Sequence, residues 1–157
     1  MSKKKHSPLD FAHWFLSRVD RDSGDDITHL KLQKLLYYAQ AWHLANQNKE
    51  LFAEDMEAWT HGPVVPSVWQ VYKDYGWSSL PPIDQEVEIS QYEKSLLELV
   101  YKEYGKYSAK ELERLTHRED PWKKTRGDLP IEAKCANPID KKMMRDYYAK
   151  RIGKKWQ

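Results

Sequence analysis

The sequence predicts a mainly α-helical protein: a single compact domain of about six helices, with one short β hairpin or extended segment allowed between them. Three observations carry this expectation. Apolar residues recur at helical spacing in every long segment, with no sustained alternation. A serine followed three residues later by a carboxylate, the signature of a capped helix start, occurs at Ser90/Glu93 and again at Ser108/Glu111. The 157 residues suffice for one real core, and no repeat, low-complexity tract or linker divides them. The expected layout is a basic tail over 1–7, the helical domain over 8–152 and a second basic tail over 153–157.

Ser7-Pro8 opens the first helix, because serine caps free N–H groups and proline is tolerated at the first helical position. Phe11, Trp14, Phe15 and Leu16 give it an apolar face, and it is expected to pack as a short lid. Thr28 caps a second helix reaching about Gln47. Leu32, Leu35, Leu36, Ala39, Trp42 and Leu44 crowd one face, widened by Tyr37, Tyr38 and Ala41, as befits the central helix of a bundle. Lys31 and Lys34 are expected on its wet side. The pattern weakens through LFAEDMEAW, read as a short extended piece or a packed loop. Pro66 starts a third helix that Gly76 ends. Residues 80–88 read as a loop with one short strand at its end, from EVEI. The two serine-capped helices follow. THREDPW, from Thr116 to Trp122, reads as a polar corner, and Asn137-Pro138 opens a last helix carrying Ile139, Met143 and Tyr147 on one stripe beside Met144, Tyr148 and Ile152.

Between Glu57 and Tyr72 lies EAWTHGPVVPSVWQVY, the most unusual stretch of the chain. It reads as a rigid corner. Gly62 supplies a backbone shape other residues resist, Pro63 limits its neighbour, and Pro66 launches the next helix. Trp59 and Trp69 are expected to pin the two arms into the bundle.

Composition narrows the function classes. Seven Trp and ten Tyr are far more aromatic mass than a disordered chain carries. The sequence holds no run of eighteen apolar residues and no apolar stretch behind its basic start, which speaks against a membrane span or a secretory leader. A single cysteine, Cys135, excludes an internal disulfide framework and fits the cytoplasm. The net charge of +2 conceals an acidic body of −7 over residues 7–140, between basic ends. Nucleic-acid contact would be weak, through Lys150, Arg151, Lys154 and Lys155 of the tail, and salt-sensitive.

Catalytic signatures are missing: no phosphate-binding glycine loop, no paired-cysteine spacing, no HExxH and no G-x-S-x-G. We therefore expect no enzyme activity, no cofactor and no metal. His43, His61 and His117 can in principle converge on zinc, and His61, His117 and Asp120 on a cryptic acid–base site. The preferred reading of His61 is structural, with one ring nitrogen bonded to a backbone carbonyl. Cys135 reads as a small buried hydrophobe. Protein binding suits the composition best, since Trp, Tyr and Met dominate interface anchors. Trp77, in a loop, and Trp156, in the tail, are the candidate anchors. Ser67, Gln70 and Lys73, on the rim of the opening stretch of the third helix, are the other candidate contacts.

Three blocks in order, LKLQKLLYYAQAWHL from Leu30, EAWTHGPVVPSVWQVY from Glu57, and ELERLTH from Glu111 with Pro121-Trp122, closely resemble the Panacea antitoxin domain of SocA-like and phage-associated GepA-like proteins. The resemblance covers about residues 10–150. It implies a helical, cytoplasmic, non-catalytic antitoxin of a type II toxin–antitoxin pair, whose partner is a cognate protein toxin encoded nearby. As alternatives it implies an adaptor delivering that toxin to a ClpXP-type protease or, less readily, a DNA-binding regulator. The family signature falls on Leu32, Lys34, Leu35, Tyr37, Tyr38 and Trp42, on Ala58, Trp59, His61, Gly62, Pro63, Val64 and Tyr72, and on Thr116, His117, Pro121 and Trp122. Most of these are expected to form the frame, while other surface residues choose the partner.

Overall fold

The computed structural model describes residues 6–152. Among them are seven α-helices and one two-stranded antiparallel hairpin. Helix α1 spans Pro8–Arg18, α2 His29–Gln47, α3 Pro66–Tyr72, α4 Gln91–Tyr104, α5 Ala109–His117, α6 Asp120–Arg126 and α7 Lys141–Ala149. Strands β1 (Glu57–Trp59) and β2 (Gly62–Val64) pair Glu57 with Val64, Ala58 with Pro63 and Trp59 with Gly62.

Helix starts follow the local chemistry. Ser7, Ser90 and Ser108 each form a complete capping box with Asp10, Glu93 and Glu111. Thr28 Oγ1 accepts from the Lys31 N–H. Glycines Gly24, Gly76 and Gly127, all with positive φ, follow short helical turns and end them.

Helix α2 is the post around which the fold is built: α1, α3, α4, α5, α7 and β2 all pack on it. Thirteen consecutive residues from Leu32 to Leu44 are buried, so this helix has no wet face at its centre and no amphipathic stripe. Lys34, expected in water, is fully enclosed. Lys31 is half-buried and donates to the Gly105 carbonyl at 2.6 Å. Helix α1 is no lid: Phe11, Ala12 and Phe15 have no exposed surface and belong to the central core.

Three further expectations are corrected. The polar corner at THREDPW contains a seventh helix, α6, which Pro121 enters at its first turn. It bridges α5, α7 and β1. Asn137-Pro138 does not open the last helix. These residues run beside β1, where Ala58 N–H donates to the Asn137 carbonyl at 3.0 Å and Ile139 N–H to Met56 at 2.8 Å. Asp140 then caps α7. The strand expected from EVEI is absent, as residues 81–90 take no regular structure.

Polar side chains on α2 hold the irregular parts of the chain. Gln40 donates to the Phe52 carbonyl at 2.8 Å and accepts from the Leu51 N–H at 2.6 Å, satisfying the buried loop after α2. Tyr38 lies stacked on Tyr104, centroids 3.9 Å apart, and donates to Glu119 at 2.6 Å. Tyr148 of α7 donates to the same carboxylate oxygen at 2.9 Å. Burial, with the Glu119 charge adding to it, pushes both phenols well above the ordinary tyrosine range, so they stay protonated donors. No helix among the described residues is long and apolar enough to cross a membrane.

Candidate functional site: a braced hairpin and the aromatic cleft beside it

Both arms of the hairpin are braced by side chains that reach its backbone carbonyls. On β1, Arg126 Nη1 donates to Ala58 at 2.9 Å and Trp122 Nε1 to Trp59 at 2.7 Å. On the other arm, Lys34 Nζ donates to Pro63 at 3.2 Å. Just beyond it, Gln33 accepts from the Val65 N–H at 2.8 Å and directs its amide N–H at the Val65 carbonyl, 3.4 Å away. A two-residue turn, Thr60-His61, joins the strands.

Gly62 fits this arrangement twice over. Its φ is +110°, a region that residues with a Cβ resist. A Cβ there would run into Lys34 Cε and stand 3.0 Å from Thr116 Oγ1. The lysine stem thus passes directly beneath the glycine, between β2 and α5.

Lys34 is an amine without water. Burial pushes its pKa down to about 7, and the nearby Glu113 carboxylate only partly opposes this. Glu113 is itself buried on α5, with His61 Nδ1 and Lys110 Nζ each 3.2 Å from its oxygens. Because the folded pKa of Lys34 lies below the unfolded value, its contribution to stability is present above the unfolded pKa and lost as pH falls toward 7. Relative to Lys34→Met, the wild type is expected to gain up to about 1.4 kcal/mol of stability per pH unit between about pH 7 and pH 9. Denaturant titrations across that range check this; parallel curves for the two proteins would contradict it.

The structure redistributes the expected histidine roles. His61 is more exposed than expected: its side chain is 56% exposed, faces the Glu113 carboxylate and lies edge-on to Trp77. A carbonyl-bound ring is found at His43, whose Nδ1 lies 2.6 Å from the Lys49 oxygen. His117 lies flat on Trp122, centroids 3.9 Å apart; burial lowers its pKa, and Lys34 adds to the effect. His29 accepts from Gln33 through Nε2 at 3.0 Å, and burial holds its pKa down to about 4, so the ring is neutral. Among the described residues no three His, Cys, Asp or Glu side chains gather as a metal site.

Beside the hairpin opens a mostly apolar cleft of about 980 Å³. Its floor is His29, Leu30 and Gln33 of α2, and one side is Trp59, His61 and Val64 of the hairpin. Trp69, Lys73 and Trp77 form a second side, and residues 132–136 the third. Trp59 and Trp69 meet edge to face at 5.3 Å. Both are half-buried, so they wall the cleft rather than pin the corner into the bundle. Lys73 Nζ stands 5.5 Å over the Trp69 ring. Cys135, expected to be buried, is partly exposed on this wall.

The remaining expected residues divide cleanly. Leu32, Leu35, Tyr37, Tyr38, Trp42, Ala58, Gly62, Pro63, Val64, Tyr72, Thr116, Pro121 and Trp122 are buried frame. Ser67, Gln70, Lys73 and Trp77 are exposed, and Trp77 stands out at 74%. Only Lys73 and Trp77 of these four line the cleft. Trp156 lies outside the described residues. Gln33, Glu113, Arg126 and Lys134 were not foreseen; no local motif marks them, and Gln33, Glu113 and Arg126 each reach a residue distant in sequence.

The molecule is thus a helical scaffold protein that fixes a hairpin against one long buried helix and leaves an aromatic cleft open at its side. Residues 32–123 match the model of the SocA-like antitoxin Panacea domain, and the chain belongs to that family. The matched segment is narrower than the expected 10–150, leaving out α1 and α7, although both pack on α2 within the same core. No curated protein and no solved structure was found to match.

Proposed function

We propose that this chain is the antitoxin of a toxin–antitoxin pair, binding a cognate protein toxin encoded beside it and holding it inactive while bound. Family membership carries this reading, over more than half of the chain. The buried polar side chains Gln33, Lys34, Gln40, Trp122 and Arg126 are all engaged in holding backbone. An antitoxin of this kind acts stoichiometrically, so the dissociation rate and the amount of protein set the outcome.

Co-expression tests it. Expressing the neighbouring reading frame alone is expected to arrest growth, and adding this chain to restore colony formation. A toxic neighbour that this chain fails to rescue, or a harmless one, would refute the reading.

A further inference from the structure

We infer that the aromatic cleft between the hairpin, α3 and residues 132–136 is where the partner protein docks, receiving an apolar side chain flanked by acidic residues. This rests on the antitoxin reading for the partner's nature, but the surface is identified from the molecule alone.

Three observations converge there. The first is the state of its tryptophans. Trp59 and Trp69 form a half-buried pair, while Trp77 projects at 74% exposure beside the edge of His61. An open slot walled by rigid aromatic rings suits an inserted apolar side chain, and tryptophans are the commonest interface anchors.

The second is the distribution of exposed apolar residues. Among the described residues seven large hydrophobic side chains are exposed, and five of them, Val71, Tyr75, Trp77, Leu129 and Ile131, belong to the two segments that wall the cleft or lead into its walls. Trp77 itself lines the cleft, and exposed apolar side chains gathered on the segments that supply its walls favour an occupant larger than a small molecule, namely a protein.

The third is charge. The body of the chain is acidic, at −7 over residues 7–140. At the cleft, by contrast, Lys73 and Lys134 outnumber Glu132. A local cationic rim on an acidic molecule selects an acidic segment and steers its approach.

The test uses the full chain and the neighbour-encoded toxin in a titration calorimeter. Trp77→Ala and the pair Lys73→Glu/Lys134→Glu are expected to weaken binding by about tenfold or more, with melting temperatures unchanged because all three side chains are exposed. The charge pair should also flatten the salt dependence of the wild-type affinity. Leu99→Ala/Lys102→Glu, on α4, is the control and should bind as wild type. If the wild type binds and the cleft variants bind equally, or if the control weakens as much as they do, the cleft assignment is overturned while the antitoxin reading stands. If only Trp77→Ala weakens binding, the acidic character of the occupant is overturned. If the wild type does not bind the toxin, the antitoxin reading fails, and this inference with it.

Discussion

Gly62→Ala is expected to lower the unfolding free energy by about 3–4 kcal/mol. Two costs add. The backbone at φ +110° is strained for any residue with a Cβ. The new methyl would also meet Lys34 Cε and crowd Thr116 Oγ1 at 3.0 Å. A flexible lysine tip on a surface would simply move aside. Here it cannot do so cheaply, because Lys34 is fully enclosed and its Nζ donates to Pro63. Chemical denaturation measures the loss. In a Lys34→Ala background the clash with the lysine disappears, while the backbone cost and the crowding against Thr116 stay, so the two substitutions should be markedly less than additive. A single-mutant loss below about 1 kcal/mol would show that the hairpin is not seated as tightly on α2 as the geometry requires.

Arg126→Ala should cost about 3 kcal/mol. This arginine, 4% exposed, faces four backbone carbonyls: Ala58 through Nη1, and Pro130, Ile131 and Ala133 through Nη2, at 2.7–3.1 Å. Its guanidinium also lies 5.1 Å over the Trp122 ring. The side chain ties β1 to the segment that follows α6, the same segment that closes the third side of the cleft. Its loss strands several acceptors and removes a packed plane from Trp122. Arg126→Lys should recover less than half of the difference, since an ammonium lacks the planar fork that reaches both groups of carbonyls. Protease cleavage between residues 127 and 136 should rise in parallel. A lysine variant as stable as wild type would contradict this account.

Local chemistry was legible in the sequence, and tertiary polar chemistry was not. Ser7, Thr28, Ser90 and Ser108 were readable as caps because a cap and its helix are neighbours in the chain. A rigid corner and the need for Gly62 were readable for the same reason, whereas the pairing of β1 with β2 was only one of two forms, hairpin or extended segment, that the sequence allowed. Helix α6 was missed because it is only seven residues long and Glu119 makes no side-chain cap bond to it; its stability comes from Trp122 and Arg126 reaching β1. Lys34 was misplaced by a sound rule, that charged residues on a helix face water. The rule fails on a helix buried on all sides, where a polar side chain is kept because a loop or hairpin needs its donor. The same limit hid Gln33 and Gln40, which bind backbone 32 and 12 residues away. His61 went the opposite way: a histidine in a tight turn looked structural, yet the turn presents it outward beside Trp77.

The frame and the cleft therefore answer to different substitutions. Changes at Lys34, Gly62, Trp122 or Arg126 are expected to act on binding through the fold, whereas changes at Trp77, Lys73 or Lys134 are expected to act on it directly. Family-signature positions lie mainly in the first set, which accounts for a motif-rich sequence whose motifs do not identify the partner.

The central claim, neutralisation by direct binding, is tested most directly with purified components and no protease. The activity of the neighbour-encoded toxin is followed while this protein is titrated in. The account predicts toxin activity that falls linearly to a stoichiometric end point and returns when the complex is diluted below its dissociation constant. Toxin activity unaffected at a molar excess of this protein, or inhibited only once a protease is added, would contradict it.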